Sequence, residues 1–213
     1  MTFVFIVLTW ILSLCLHEYS HARVAYSGGD TSVKEKGYLS LNPFYYMEPM
    51  YSIIMPLVFL LLGGIGLPGG AVYVETSRLK NRGWETAVSA AGPASNLIIA
   101  VVIALIFRFG PVEETVFWAA LAFLGLLQAT SFILNILPIP PLDGFGIIAP
   151  YLSEETRYKV RSMGSTPLWG IFLLLWYVQP VSEVFWKVVH AFTDFLGIPS
   201  DLAWQGYINF KFW

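Results

Sequence analysis

The hydrophobic pattern of this chain is carried by long unbroken apolar runs. Residues 2–16 contain no charged side chain, and four stretches, about 2–25, 87–108, 116–137 and 167–190, come near the ~20 residues that cross a bilayer. A fifth run, 51–67, is shorter and passes into Gly63-Gly64-Ile65-Gly66-Leu67-Pro68-Gly69-Gly70, a cluster of helix breakers. Two short segments, 37–41 and 71–75, show period-2 alternation with β-branched or aromatic residues and read as strands. The pattern predicts an all-α polytopic membrane protein with about four transmembrane helices, a re-entrant segment and a small membrane-associated β-sheet. A single membrane-embedded domain is expected over 1–213, its core over about 1–150, followed by a C-terminal helix and aromatic tail over 165–213. No internal repeat or low-complexity tract interrupts it.

Composition agrees with that reading. Charged residues are 12% and hydrophobic residues 56% of the chain, against roughly 25% charged in soluble domains, so an ordinary soluble fold is excluded. A net charge of −2 gives no case for nucleic acid. The sole cysteine, Cys15, rules out an intrachain disulfide and reads as helix packing. The first apolar run lacks a basic start and a small-residue cleavage site, so it is expected to be retained rather than removed as a signal peptide.

The placement of the twelve Lys and Arg bears on the fifth run. If 51–67 crosses the membrane, they divide evenly between the two sides. If it enters and returns, Arg23, Lys34, Lys36, Arg78, Lys80, Arg82, Arg157, Lys159 and Arg161 share one side, nine against three. The positive-inside rule favours the second arrangement. Backbone at that depth is tolerated only where it lines a cavity or is covered by protein, which points to a channel.

Within the first run stands His17-Glu18-Tyr19-Ser20-His21. Positions four apart share a helix face, so both imidazoles can reach one ion while Glu18 stands beside it. This is the H-E-x-x-H arrangement of zinc hydrolases. Zinc takes nitrogen donors at about 2.0–2.1 Å, and hydrolysis needs a base that is not a ligand, free to take the proton of metal-activated water. His17 and His21 meet the first need and Glu18 the second. Ionisable groups inside an apolar helix are expensive and normally functional.

Two histidines do not complete a catalytic zinc site, which usually takes three protein ligands. Asp143 is the only acid between Glu114 and Glu154, and it follows the helix-breaking stretch Asn135-Ile136-Leu137-Pro138-Ile139-Pro140-Pro141-Leu142-Asp143-Gly144. It is a candidate third ligand; a Pro-rich loop closing on an Asp-Gly turn explains the same residues. Both motifs lie near the C-terminal ends of their helices. They meet only if those helices run parallel, which the re-entrant topology provides through the crossing at 87–108.

The residues HEYSH at 17–21 and NILPIPPLDG at 135–144 resemble the site-2 protease family of intramembrane zinc metalloproteases, in a minimal form without a PDZ or CBS module. Gly92-Pro93-Ala94-Ser95-Asn96 is similar to a Gly-Pro-x-x-Asn element of that family, and Leu41-Asn42-Pro43 to a pattern after the first motif. The resemblance covers about residues 10–150 and implies hydrolysis of peptide bonds within or near transmembrane segments of other membrane proteins. It implies one zinc ion held by His17, His21 and Asp143, Glu18 as general base and acid, and Asn135 orienting the scissile carbonyl. The expected partners are transmembrane substrates and the lipid bilayer, and the expected location is the cell membrane of a prokaryote; nothing in the sequence sets an oligomeric state. Phe145 stands where relatives often carry a second Gly, and Tyr46-Met47-Glu48-Pro49 replaces a His-x-Asp-Pro.

Two other functions compete with a protease. A non-catalytic membrane metal-binding protein would close its site with four ligands and need no free carboxylate. A metal transporter would spread polar groups along a path across the bilayer, whereas here they gather toward one side. Asn96 reads as a helix–helix hydrogen bond, and His190 as an interfacial side chain. Trp204, Tyr207, Phe210, Phe212 and Trp213 read as an interfacial aromatic anchor.

Overall fold

The computed structural model of the chain describes residues 2–45, 72–113, 115–164 and 166–211. Its helices run in the order α1 (Thr2–Gly28), α2 (Ser32–Glu35), α3 (Arg82–Phe109), α4 (Val116–Asn135), α5 (Asp143–Ile148), α6 (Glu154–Ser162), α7 (Thr166–Tyr177), α8 (Gln179–Leu196) and α9 (Ser200–Phe210). Among the described residues, α1, α3 and α4 are long and apolar enough to cross a membrane. The helices expected at 2–25, 87–108 and 116–137 are therefore present with shifted ends.

Local chemistry sets those ends. α1 has no Gly or Pro until Gly28 and Gly29, and Gly29 takes φ +120°, a conformation that a side chain would strain. α3 is capped by Asn81, whose side chain accepts a hydrogen bond from the Trp84 amide at 3.1 Å. α4 stops at Asn135, before the proline-rich stretch that cannot continue the amide ladder.

Helix directions follow from which residues meet. Phe5 packs on Phe117, Ser13 bonds Gln128 and His17 reaches Asp143, so α1 and α4 run parallel. His17 meets Asn96 and His21 meets Val88, so α3 runs back between them. At the end of α1 the Gly28 carbonyl accepts the Lys80 amide at 2.9 Å, two residues before α3 begins. The chain thus leaves α1 and enters α3 at the same end of the bundle. The 51–67 run itself lies outside the described residues.

α4 is the central helix, buried around most of its circumference. Small residues let its neighbours approach closely. A Cβ on Gly206 of α9 would strike the Ala119 carbonyl, and Gly125 packs against Ile198 and Ile103. The outward faces of α1 and α3 are apolar and exposed, with Val4, Leu8 and Leu12 on one and Ile98, Val102, Leu105 and Phe109 on the other. A helical membrane protein is the class this surface and these helices define.

Three expectations need correction. No strand occurs among the described residues. Residues 37–41 form turns and bends closed by local bonds such as Tyr38 N–H to the Val33 carbonyl, and 72–75 is irregular chain without a ladder partner. Side chains take up the backbone groups of that second segment: Glu18 accepts the Val72 amide, Asp30 the Glu75 amide, and Lys36 donates to the Tyr73 carbonyl. The span expected at 167–190 is broken into α7 and α8, which meet at 94°. Pro180 has no amide to donate and enforces the break. The aromatic tail is not simply an interfacial anchor. Phe210 is fully buried and stacks on Phe3 at 5.2 Å, while Trp204 is exposed; Phe212 and Trp213 lie outside the described residues.

Candidate metal centre

α1 buries Trp10, Ser13, Leu14, His17, Glu18, His21, Ala22 and Ala25, a stripe with the three-to-four spacing of one helix face. Two imidazoles and a carboxylate therefore point inward at the same level. Opposite them, the chain beyond α4 turns back through Leu137, Ile139 and Leu142, with the Ile139 amide on the Leu137 carbonyl and the Leu142 amide on the Ile139 carbonyl. Asp143 opens α5 at that point. Gly144 is needed beside it, because a Cβ there would collide with the Ile136 and Leu137 carbonyls. Thr86 of α3 holds α5 in place by donating its hydroxyl to the Ile147 carbonyl at 3.0 Å.

Three donors converge. His17 Nε2 lies 3.1 Å from Asp143 Oδ2, His21 Nε2 lies 3.3 Å from Asp143 Oδ1, and the two Nε2 atoms are 3.1 Å apart. A tetrahedral ion with donors at about 2.0–2.1 Å spaces them about 3.3–3.4 Å apart, so the cluster has the dimensions of a zinc site. The tautomers agree. His21 Nδ1 stands 2.6 Å from the Val88 carbonyl, which can only accept, and His17 Nδ1 stands 2.7 Å from Asn96 Oδ1. Both rings then carry a hydrogen on Nδ1, and in their neutral form they turn Nε2 lone pairs toward the Asp143 carboxylate. Donors so placed repel one another unless a proton or a metal ion sits among them, and their spacing fits zinc.

Gly92 of α3 provides the space. A Cβ there would press on the Nε2 atoms of both histidines and come within 2.6 Å of His17 Cε1. Pro93 follows and removes one ladder donor from the same turn. Glu18, only 3% exposed, takes no part in the donor triangle; its Oε2 accepts the Val72 amide at 3.2 Å. A cleft of about 850 Å³ opens on the group and is lined by His17, Glu18, His21, Val72, Asn135 and Asp143 among others.

Every residue singled out in the sequence as metal-binding or catalytic thus borders one cleft. Asn96 is the helix-bridging amide expected, bonded to α4 through Gln128 as well as to His17. Cys15 is buried in the packing, as expected. His190 is exposed, packs on Trp186 and stands apart from the three-donor cluster. Sequence reasoning missed Gly92 as the cradle, Gln128, Asp30 and the Val72 amide. Gln128 carried a signal, being an amide within an otherwise apolar span.

Comparison with known proteins agrees with this centre. The chain is 42% identical over 214 residues to a protein of Mycolicibacterium smegmatis assigned by name as zinc metalloprotease Rip2, covering 99% of this chain and 81% of that protein. It is 41% identical, over the same shares, to the protein of that name in Mycobacterium tuberculosis H37Rv. It is 32% identical over 204 residues to one named as zinc metalloprotease YwhC of Bacillus subtilis, covering 89% and 88%. No family model and no solved structure matches. The chain belongs to the site-2 protease family of zinc metalloproteases. It is a metalloprotease with zinc as its metal, and proteins are its substrates.

Proposed function

We propose that the chain is an intramembrane endopeptidase that cuts peptide bonds within or near transmembrane segments of other membrane proteins. It works as one multi-pass domain in the lipid bilayer of a bacterial cell membrane. The observation that carries this reading is the buried Glu18 carboxylate, which borders the same cleft as the three donors without being one of them. A structural zinc site closes with four ligands, whereas a catalytic one has three and leaves a position for water or substrate.

In this reading His17, His21 and Asp143 hold the metal. Zinc bound there supplies a Lewis acid that acidifies water and polarises a carbonyl. Glu18 accepts the proton of the attacking water and returns it to the departing amine. The Val72 amide orients the Glu18 carboxylate through Oε2 and leaves Oε1 for that transfer. Asn135, 3% exposed at the end of α4, presents its amide to the scissile carbonyl. Residues 72–74 border the cleft as irregular chain, and Val74, whose backbone groups are not among those the side chains take up, suits pairing to an unwound substrate with little demand on its sequence.

The test is cleavage of a panel of single-span proteins by the purified protein in detergent, with bound zinc measured alongside. Glu18→Gln should lower turnover by at least about a hundredfold, the lower range for general acid–base groups, and keep its zinc. Wild-type turnover in that variant would refute the mechanism.

A further inference from the structure

His17 is the first link of a buried polar chain that crosses three helices. Its Nδ1 donates to Asn96 Oδ1 of α3 at 2.7 Å, and Asn96 Nδ2 donates to Gln128 Oε1 of α4 at 2.8 Å. Gln128 Nε2 donates to the Ser13 hydroxyl of α1 at 2.9 Å, and Ser13 donates to the Trp10 carbonyl at 2.7 Å. Each member gives one hydrogen to the next in the same sense, and Asn96, Gln128 and Ser13 are all buried, Gln128 completely.

The sense of the chain matters for the metal. Were the Asn96 amide rotated, its NH2 would face His17 Nδ1, the ring hydrogen would move to Nε2, and that hydrogen would point at the donor cluster. A ring in that state cannot bind zinc through Nε2. Gln128 blocks the rotation, since its Oε1 accepts from Nδ2 and would be left facing another oxygen. Gln128 is held in turn by Ser13, whose hydrogen is engaged by the Trp10 carbonyl. An interior of low dielectric makes a mispaired amide costly and lets aligned bonds strengthen one another.

We propose that Gln128 is a positioning residue for the metal centre, acting through Asn96 to hold His17 in its zinc-binding tautomer. The inference rests on the zinc-centre reading and extends it to a residue on a helix that contributes no ligand. It makes metal affinity depend on a side chain in the apolar middle of α4.

The experiment measures zinc affinity by chelator competition on purified full-length protein in detergent. Gln128→Met keeps the volume and removes both bonds, and it should weaken zinc about tenfold, as loss of outer partners of metal ligands does. Asn96→Leu should weaken it by at least as much. The double variant should bind no more weakly than Asn96→Leu alone, because Gln128 acts only through Asn96. Unchanged affinity in Gln128→Met, or losses that multiply in the double variant, would overturn the proposal. If Gln128→Met does not fold, Ser13→Ala replaces it, with about a threefold weakening expected and unchanged affinity overturning the proposal. Absence of zinc from the wild type would instead refute the zinc-centre reading.

Discussion

At the scale of single residues the centre depends as much on what is missing as on what is present. Gly92 lies inside a helix, where Ala would ordinarily be favoured by about 0.5–1 kcal/mol. Here a methyl group would enter the space between His17 and His21. Gly92→Ala is therefore expected to weaken zinc by at least about tenfold, comparable to the loss of a ligand-supporting contact. Gly170 of α7 is the control, having nothing within 4 Å of where a Cβ would stand. Gly170→Ala should keep zinc in full, and equal zinc contents in the two variants would sink the cradle argument. H-E-x-x-H was legible at this scale because helix geometry alone puts positions 17 and 21 on one face. The significance of Gly92 was not, since only tertiary packing brings α3 against those rings.

At the scale of elements, the junction after α1 shows side chains doing what a sheet was expected to do. Asp30 is fully buried; it accepts the Ser32 amide and hydroxyl at 3.0 and 2.6 Å and the Glu75 amide at 2.7 Å. Burial alone would raise its carboxyl, but these bonds, with Lys36 nearby, outweigh it and hold the group below the usual carboxylate range. Asp30 thereby ties 72–75 to the end of α1, which brings the Val72 amide to Glu18. Asp30→Asn leaves one oxygen for the two donor sites, so its NH2 must face either the Glu75 amide or the Ser32 amide, and it should destabilise the protein by about 2 kcal/mol, as expected for bonds to a charged group. A carboxyl depressed by folding stabilises above its unfolded value of ~3.9, and that contribution is lost as pH falls through the lower folded value. The stability gap between wild type and Asp30→Asn should therefore hold from pH 7 to about 5 and shrink below about 4. Thermal denaturation in detergent across that range is the check, and a gap that widens on acidification would contradict it. Strand-like alternation at 71–75 could not reveal this, because whether an extended segment pairs with a strand or with side chains depends on what stands beside it.

For the whole molecule, the return of the chain to the end of α1 at Lys80 matches the uneven distribution of Lys and Arg. Single cysteines at the exposed positions Glu35, Ser77 and Thr156, in a Cys15→Ser background, should all react with a reagent confined to the cytoplasmic side, and one at Glu113 should not. Labelling of Ser77 only from the opposite side would refute the topology. On the proposed intramembrane function, substrate choice follows from the same arrangement. His21 and His17 lie seven and eleven residues before the last residue of α1, Gly28, or roughly 10–17 Å at 1.5 Å per residue. A helix hides its peptide bonds in its own ladder, so a cut requires an unwound segment. Gly or Pro placed in the cytoplasmic third of a substrate helix should raise cleavage, and Leu/Ala-rich replacement should lower it. Product termini mapped by mass spectrometry to the outer half of the span, or rates indifferent to helix breakers, would overturn this.

The sequence by itself determined the membrane class, the three principal helices, the H-E-x-x-H face and, through the family likeness, Asp143. These depend on local spacing and on apolar run length, which survive without knowledge of neighbours. His17, Glu18 and His21 marked the inward face of α1 in the sequence, but only the tertiary structure decided which residues of α3 and α5 close against it, since those contacts join segments far apart in the chain. It also decided that Pro180 divides the last apolar run at 94° and that Phe210 is core. The partners of 72–75, and the path from Gln128 to His17, likewise emerged only there. In each case the outcome depends on contacts between residues far apart in the chain, where packing and the pairing of buried polar groups outweigh local preference.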